Sequence, residues 1–324
     1  MNKLVNCGLE NRFGTNCLKW DGLKSRFGNE NLIAMWVADM DFKAPQPVID
    51  ALKERVNHGI FGYNIIPDSY YEAFINWEKE KHGYNVKKEW IRFSPGVVPA
   101  LFWFINILTN PGDSCIVMGP VYYPFHDAIK ENERKLIFNN LKNDNGIYTI
   151  DFEKFEEDII ENQVKLFILS SPHNPIGRVW TKEELKRVLD ICKANDVFVL
   201  ADEIHQDIII GDKKQIPAAT IGNYDDILVT LTAATKTFNL ASCQNSFVVI
   251  PNDEIREKFD KYYNSIGGDN GNVFGYIAVE AAYRYGEEWL KEILDKIRGN
   301  YEYTKSILSN HLPHVVVSPL EGTY

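Results

Sequence analysis

Short apolar runs alternate with amphipathic segments from about residue 111 onward, and this alternation is the strongest constraint on the fold. Strands separated by helices predict an α/β domain of parallel βαβ units, with helices on both faces of a mostly parallel sheet. Between two of the runs, Thr181 and Glu184 form a capping-box pattern ahead of apolar positions at helical spacing. The predicted strands are 114–118, 164–170, 197–202, 226–231 and 246–250.

The flanking segments are less regular. The chain before residue 45 shows no period, whereas 46–58 and 67–82 have helical patterns. Near the other end, 286–309 is typical of a charged amphipathic helix, and HVVVS at 314–318 predicts a strand.

Charge and cysteine content exclude several classes of protein. The 324 residues carry a formal net charge of −10, which argues against nucleic acid or an anionic membrane surface as the main partner. The five cysteines are scattered and form no CxxC pair, as in a reduced intracellular protein. The longest apolar run, 97–108, is shorter than the roughly 18 residues that a membrane span needs. We therefore expect a soluble cytoplasmic protein, without membrane attachment, and no residue pattern predicts a metal site.

Polar residues of distinct types follow the predicted strands. Ligands of open α/β sheets bind outside the carboxyl ends of the strands, so these residues are candidates for chemistry. Asn174 follows the second strand, Asp202 and His205 follow the third, and Lys236 follows the fourth. Tyr122 comes after the first strand, and SPGVVPA at 94–100 predicts a glycine turn that opens a helix, which is a ready anion site.

An amine, a carboxylate, an amide, an aromatic ring and a phosphate cradle at one sheet edge suit pyridoxal 5′-phosphate (PLP). This cofactor needs a lysine for its Schiff base and an anionic partner for its ring nitrogen. Each residue alone has an ordinary structural explanation: Lys236 as a solvated loop lysine, Asp202 as a helix cap, Asn174 as a turn residue. Their arrangement in order along one sheet edge favours the cofactor site.

The motifs SPGVVPA, GPVYYPF, SPHNPIGRVW, ADEIHQD and ATKTFNLAS, in this order, resemble the fold type I PLP-dependent enzymes of the aminotransferase class. Within that class the chain is most similar to the PatB/MalY branch of cystathionine β-lyases, which MWVADMDF at 35–42 and FGYN at 61–64 also match. The resemblance covers about residue 20 to residue 324.

This resemblance implies a role for each matching residue. Lys236 would be the catalytic Schiff-base lysine, Asp202 the partner of the ring nitrogen, and Tyr122 the stacking ring. Asn174 and His205 would lie near the phenolic oxygen of the ring. The other implied positions are the phosphate-binding Val97, Val98, Thr232 and Thr235, the tyrosine Tyr63 that reaches a neighbouring subunit's phosphate in a homodimer, and the substrate-binding Trp36, Val37, Ala38 and Asp39.

The resemblance also implies a domain division. Residues 1–45 would belong to the small domain and the substrate pocket, 46–285 to the large PLP-binding domain, and 286–324 to the start of a small domain that is incomplete here. Relatives continue beyond a motif like PLEGTY and supply an arginine for the substrate carboxylate, and no residue here matches that arginine. Gln244 stands where many transaminases have a phosphate-binding arginine.

The implied function is a carbon–sulfur β-lyase that converts L-cystathionine, or another cysteine S-conjugate, to a thiol such as homocysteine, with pyruvate and ammonia. Two alternatives stay open from the sequence: an aminotransferase, and a PLP-binding regulatory protein without turnover.

Overall fold

The computed structural model describes residues 10–268 and 271–324, and its centre is a seven-stranded mixed sheet. The strand order is β1-β9-β8-β7-β6-β2-β3, and a separate hairpin joins β4 to β5. Strands β3, β2, β6, β7 and β8 are parallel, whereas β9 is antiparallel to both of its neighbours. The strands are β1 Ile91–Ser94, β2 Ser114–Gly119, β3 Lys135–Asn140, β4 Lys142–Asp144, β5 Ile147–Thr149, β6 Val164–Ser170, β7 Phe198–Asp202, β8 Leu228–Thr232 and β9 Ser246–Val249.

Helices cover the sheet on both faces. A turn of π-helix, Glu78–His82, continues one of them, and short 3-10 turns lie at Lys88–Trp90, Ala218–Thr220 and Ala241–Cys243. The α-helices are α1 Leu18–Asp21, α2 Leu23–Phe27, α3 Gln46–His58, α4 Asp68–Trp77, α5 Val97–Leu108, α6 Pro124–Glu131, α7 Phe152–Glu161, α8 Lys182–Ala194, α9 Ala234–Thr237, α10 Asp253–Ser265, α11 Val273–Tyr285 and α12 Glu287–His311.

The central strands are mainly apolar because both of their faces are buried. On β6, Phe167 packs in the cluster beneath α7 and α8, whereas the adjacent Ile168 packs in the cluster beneath α5, α6 and α10. A third cluster joins α4 and α11 to the β9 end of the sheet, where Phe74 stacks on Phe247 with ring centroids 3.8 Å apart. The start of α12 packs in this third cluster through Trp289.

The structure confirms all five predicted strands and the predicted helices, including the capping box at α8, in which the Thr181 hydroxyl and the Glu184 carboxylate each accept a backbone N–H. The antiparallel direction of β9 departs from a purely parallel pattern, and β1 and β3 were not predicted. The strand predicted at 314–318 is wrong. No strand in the described part of the chain pairs with it, and Val316 is 58% exposed, so an apolar β-branched run alone did not make a strand there.

No helix within the described residues is long and apolar enough to cross a membrane. The four cysteines of this part of the chain, Cys17, Cys115, Cys192 and Cys243, are free thiols. The fifth, Cys7, lies outside the described residues.

Replacing Thr181 by alanine should lower the free energy of unfolding by about 1 kcal/mol, because the N-cap hydroxyl that accepts the Glu184 N–H is lost. Urea denaturation measures this change. Thr304→Ala is the matched control, since Thr304 is an exposed threonine inside α12, and its change should stay within about 0.5 kcal/mol. Equal losses in both variants would contradict the assignment of the cap.

Candidate active site

Five strand ends meet at one edge of the sheet. Strands β2, β6, β7 and β8 run in the same direction. Strand β9 is antiparallel to β8, and β1 is antiparallel to β9, so β1 has the same direction as β8. The carboxyl ends of these strands carry the segments with Tyr122, Asn174, Asp202 and Lys236, and the helix that starts at Val97. The topology therefore gathers the predicted residues on one side of the molecule.

Lys236 lies on α9, the four-residue helix that follows β8. Its ammonium donates a hydrogen bond of 2.8 Å to the backbone carbonyl of Ala38 in the N-terminal segment. Burial lowers the pKa of Lys236, and the charges of Asp39 and Asp202 act in the opposite direction. A lysine held in this way has a larger share of neutral amine at a given pH than a solvated lysine.

Asp202 is the last residue of β7 and is 7% exposed. Burial raises the pKa of its carboxyl to about 7, although a hydrogen bond from the Ile204 N–H and the charge of Lys236 act to lower it. The Asp202 carboxyl and the Lys236 ammonium therefore belong to one electrostatic site, which lies where the adjacent strands β7 and β8 end.

His205 and Tyr122 lie beside this pair. Burial and the nearby Lys236 charge lower the pKa of His205 to about 3, so its imidazole is neutral at physiological pH. Its Nδ1 atom is buried and has no hydrogen-bond partner among the described residues. Burial, then Tyr123 and Asp202, raise the pKa of Tyr122, which places this ring within electrostatic reach of Asp202.

The predicted phosphate-binding groups lie at the same edge. Val97 and Val98 form the first turn of α5 after Gly96, and N–H groups of a first helical turn have no acceptor within the helix. Thr232, at the end of β8, is buried and donates a weak hydrogen bond of 3.4 Å to the Glu203 carbonyl. Thr235 is buried on α9, one residue before the lysine.

Asn174 follows β6 in the turn predicted for it. Its backbone N–H donates to the Ser170 hydroxyl at 3.1 Å, and Ser170 is paired with Asp202 in the sheet. The asparagine is partly exposed, and its location beside the end of β7 fits the predicted contact with a ring near Asp202.

The predicted substrate segment Trp36–Asp39 crosses in front of α9. Ala38 receives the lysine's hydrogen bond, the Val37 carbonyl accepts the Asp39 N–H at 2.9 Å, and the Trp36 indole donates to the Lys19 carbonyl at 3.0 Å. This segment thus contacts the Lys236 amine directly.

Tyr63 lies apart from this site within the single chain. Its side chain is fully exposed and lines a 360 Å³ pocket with Arg55, Val273 and Tyr276. Nothing in this position connects Tyr63 with Lys236 of the same chain. Its contact with a phosphate in a neighbouring subunit stays a prediction.

Several residues that hold the site were not predicted. Arg12 donates to both carboxylate oxygens of Asp39, at 3.0 and 2.7 Å. Asn239, three residues after the lysine, accepts the Met40 N–H at 3.0 Å and donates to the carbonyls of Met40 and Phe42, each at 2.9 Å. The sequence offered one signal for Asn239, its place inside ATKTFNLAS, and none for the pairing of Arg12 with a residue 27 positions away.

Tyr324 was also missed. Its ring meets the His205 ring edge-on at 6.2 Å, and its buried hydroxyl has no partner among the described residues. The segment PLEGTY carries it there: the Thr323 N–H donates to the Ile208 carbonyl at 2.9 Å, and the Glu321 carboxylate accepts from the Val179 N–H at 2.8 Å.

The residues present fit PLP. The site combines a partly buried amine, a carboxyl whose pKa is raised by burial, and a neutral imidazole with an unpartnered nitrogen. PLP has a carbonyl for the amine, a ring nitrogen that carries a proton for the carboxylate, a phenolic oxygen, and a phosphate for a helix N-terminus. In the described residues there is no group of three or more metal-ligating side chains.

The raised pKa of Asp202 predicts a pH dependence of stability for the protein freed of cofactor. Between about 4, the pKa in the unfolded chain, and about 7 in the folded state, the folded protein retains a proton that the unfolded chain has released. The free energy of unfolding should therefore fall as pH rises through this window.

Asp202→Asn should weaken that fall and stabilise the cofactor-free protein above pH 7, by on the order of a few kcal/mol. Urea denaturation at pH 5 and at pH 8 measures it. Glu78 and Glu203, with pKa values raised by burial to about 7 and 8, contribute in the same direction and leave a residual slope. The control, Asp212→Asn, changes an exposed aspartate and should leave the slope intact. An unchanged slope in Asp202→Asn would contradict the prediction.

Comparisons with known proteins identify the family of the chain. Residues 30–321 match the family model for aminotransferase class I and II. The chain is 40% identical over 316 residues to the cystathionine β-lyase PatB of Bacillus subtilis, covering 97% of this chain and 82% of PatB. The PLP-bound C–S lyase of Staphylococcus hominis is 34% identical with a TM-score of 0.93, covering all of this chain and 81% of that one. Cystalysin from Treponema denticola, which contains PLP, is 35% identical with a TM-score of 0.94, covering 98% and 82%. The chain belongs to the aminotransferase class I and II family, with the fold of its PLP-dependent members.

Proposed function

We propose that this protein is a PLP-dependent carbon–sulfur β-lyase that cleaves L-cystathionine or related cysteine S-conjugates. L-Cystathionine and one water give homocysteine, pyruvate and ammonia, so that the carbon–sulfur bond breaks without any external oxidant or reductant. The observation that carries the proposal is the partly buried amine of Lys236 beside the buried carboxyl of Asp202, in a chain whose relatives are named cystathionine β-lyase and C–S lyase.

Each part of the site has a proposed contact with the cofactor. Lys236 would hold it covalently and Asp202 would pair with its ring nitrogen. The remaining contacts are the phenolic oxygen with Asn174 and His205, the ring face with Tyr122, and the phosphate with the N–H groups of Val97 and Val98 and the hydroxyls of Thr232 and Thr235. When bound, PLP supplies an electron sink for the negative charge that develops at the substrate α-carbon.

Lys236 is proposed as the general base that takes the α-proton at its Nζ atom. Burial lowers the pKa of this amine, which favours the neutral form that a base requires. A cationic ring nitrogen next to Asp202 would favour the ionised carboxylate, against the effect of burial. His205 stays neutral because its pKa is lowered to about 3, so it adds no positive charge beside Lys236.

The segment Trp36–Asp39 is proposed to line the substrate pocket. Its Ala38 carbonyl holds the lysine in the absence of substrate, at 2.8 Å, and Arg12 fixes the neighbouring Asp39 through two hydrogen bonds. A substrate amine that enters beside Lys236 would therefore meet a segment whose backbone is already fixed.

Lys236→Ala should abolish turnover of L-cystathionine, with a loss of at least about a thousandfold, because both the covalent anchor and the base are removed. The measurements are pyruvate release, thiol release and the visible absorbance of the purified protein. Lys53→Ala, which changes an exposed lysine, is the control and should behave as the wild type. Product formation that depends on an added keto acid would instead indicate an aminotransferase, and a wild-type protein that takes up no PLP would overturn the proposal.

We further propose that the enzyme works in the cytoplasm as a homodimer with shared active sites. The free thiols of the described residues suit a reducing compartment. The segment that carries Tyr63 exposes apolar side chains, with Ile65 87% exposed and Phe61 60% exposed, and a second subunit would cover them. Tyr63 would then reach the phosphate in the neighbouring subunit's site.

Mixing two defective variants tests the shared site. Tyr63→Ala and Lys236→Ala should each be defective alone, whereas an equimolar mixture that exchanges subunits should regain up to about a quarter of the wild-type activity on a statistical count of sites. In such a hybrid one site combines an intact Lys236 with an intact Tyr63 from the other subunit. Hybrids without recovered activity would show that Tyr63 does not act across an interface.

A further inference from the structure

The motif DEIHQD contains three polar residues that the proposed chemistry does not use: Glu203, Gln206 and Asp207. All three are buried. The Gln206 amide donates to the Glu78 carboxylate at 2.5 Å, and Glu203 accepts the Ala218 N–H at 2.7 Å. These groups form a polar cluster inside the protein, and its centre is Asp207.

Asp207 accepts three hydrogen bonds. The Trp77 indole N–H and His82 Nε2 approach Oδ1 at 2.9 and 2.8 Å, and the Thr237 hydroxyl donates to Oδ2 at 2.8 Å. The side chains of His82 and Asp207 are 6% and 4% exposed. A buried carboxylate with three donors is held in one position, since each lost donor would leave buried charge unpaired.

The His82 imidazole is the charge partner of Asp207. Burial opposes a charge on His82, but the hydrogen bond and the charge of Asp207, together with Glu78 and Glu203, raise its pKa to about 9. His82 therefore carries a positive charge at neutral pH, and its ring faces Asp207 inside the protein.

Thr237 connects this pair to the active site, because it is the residue next to Lys236 on α9. A helix of four residues has little stability of its own. Two backbone hydrogen bonds continue it, from the Phe238 N–H to Ala234 and from the Leu240 N–H to Thr235, at 2.9 and 2.8 Å. The position of the lysine therefore depends on the side chains that tie α9 to the rest of the protein.

Those ties come from two sides. Asn239 binds the N-terminal segment through Met40 and Phe42, and Thr237 binds Asp207. The first tie connects α9 to a segment of the substrate pocket. The second connects it to α4 through Trp77, which lies in the large apolar cluster around Phe238, and to the π-helical turn through His82.

We propose that Asp207 is a positioning residue for Lys236, acting through the Thr237 hydroxyl and held in place by Trp77 and His82. It contacts neither the proposed cofactor nor the substrate. It fixes the turn of helix from which the reactive amine projects, so that Nζ returns to one place between the steps in which it holds the cofactor and moves the proton. The effect of Asp207 on catalysis rests on the proposed function. Its effect on the position of α9 does not.

Thr237→Val removes the hydroxyl and keeps the shape of the side chain, so it cuts the connection without a large cavity. We expect kcat to fall about tenfold with KM changed less than about twofold, because a displaced lysine affects proton transfer more than binding. The pH midpoint of the visible absorbance change of the lysine-bound cofactor should move by about half a unit or more. Thr237→Ser, which restores a hydroxyl, should return both values toward those of the wild type.

A second readout uses the protein freed of cofactor. Hydrogen exchange at the Phe238 and Leu240 amides should become about tenfold faster in Thr237→Val, since α9 opens more easily without its tie to Asp207. Asp207→Asn should produce the same change if it folds. The matched control is Thr109→Val, which removes a buried threonine hydroxyl that accepts from Arg134 at the far end of α5. The control should lower stability without affecting exchange at these two amides.

If Thr237→Val matches Thr109→Val in exchange at α9, in kcat and in the absorbance midpoint, Asp207 serves stability alone and the proposal is wrong. A wild-type protein that releases neither pyruvate nor thiol would defeat the proposed function instead. The exchange measurement at Phe238 and Leu240 would still decide the positioning role, so the two failures are distinguishable.

Discussion

The hydrogen bond from Lys236 to the Ala38 carbonyl is the contact on which the arrangement of the site depends. It joins two parts of the chain almost 200 residues apart and places the reactive amine against the segment that would line the substrate pocket. The amine is partly buried at the edge of the sheet, so surrounding residues supply partners that water would otherwise provide. Arg12, Asn239 and Thr237 fix the segments on both sides of it. The site is therefore held by its supporting contacts before any ligand enters.

The segment PLEGTY shows how a distant part of the chain completes this edge. The Glu321 carboxylate accepts hydrogen bonds from the Arg178 side chain and the Val179 N–H, and it forms an ion pair with Lys213 at 2.8 Å. The backbone N–H groups of Glu321 and Gly322 both donate to the Gly177 carbonyl. Gly322 permits this approach because a Cβ there would lie 3.0 to 3.1 Å from three neighbouring atoms. The segment is thereby fixed on the turn after β6, and the ring of its tyrosine faces His205.

Sequence reasoning succeeded where local pattern decides structure. Parallel strands buried on both faces form continuous apolar runs, and the residues that follow them must meet at one edge, so Asp202, Asn174 and Lys236 could be placed in advance. It failed where position depends on distant partners. The pairing of Arg12 with Asp39 and of Asp207 with His82 has no local signature, and the run HVVVS had the composition of a strand without a strand to pair with. The short β1 was missed because four residues, Ile91–Ser94, give too little period to detect.

The electrostatics of the site explain why these residues suit a cofactor that brings its own positive charge. Burial raises the pKa of Asp202 and lowers that of Lys236, so each group alone is biased toward its neutral form. A protonated ring nitrogen would reverse this for the carboxylate, because opposite charge at close range favours ionisation more strongly where water is excluded. The same exclusion keeps His205 neutral and leaves its Nδ1 free for a neutral hydrogen bond. The Asp207 carboxyl, by contrast, has its partners within the protein: the His82 ring and the Thr237 hydroxyl, each at 2.8 Å. These contacts do not involve Asp202, so a change in the protonation of Asp202 leaves the contacts between Asp207 and the turn that carries Lys236 in place.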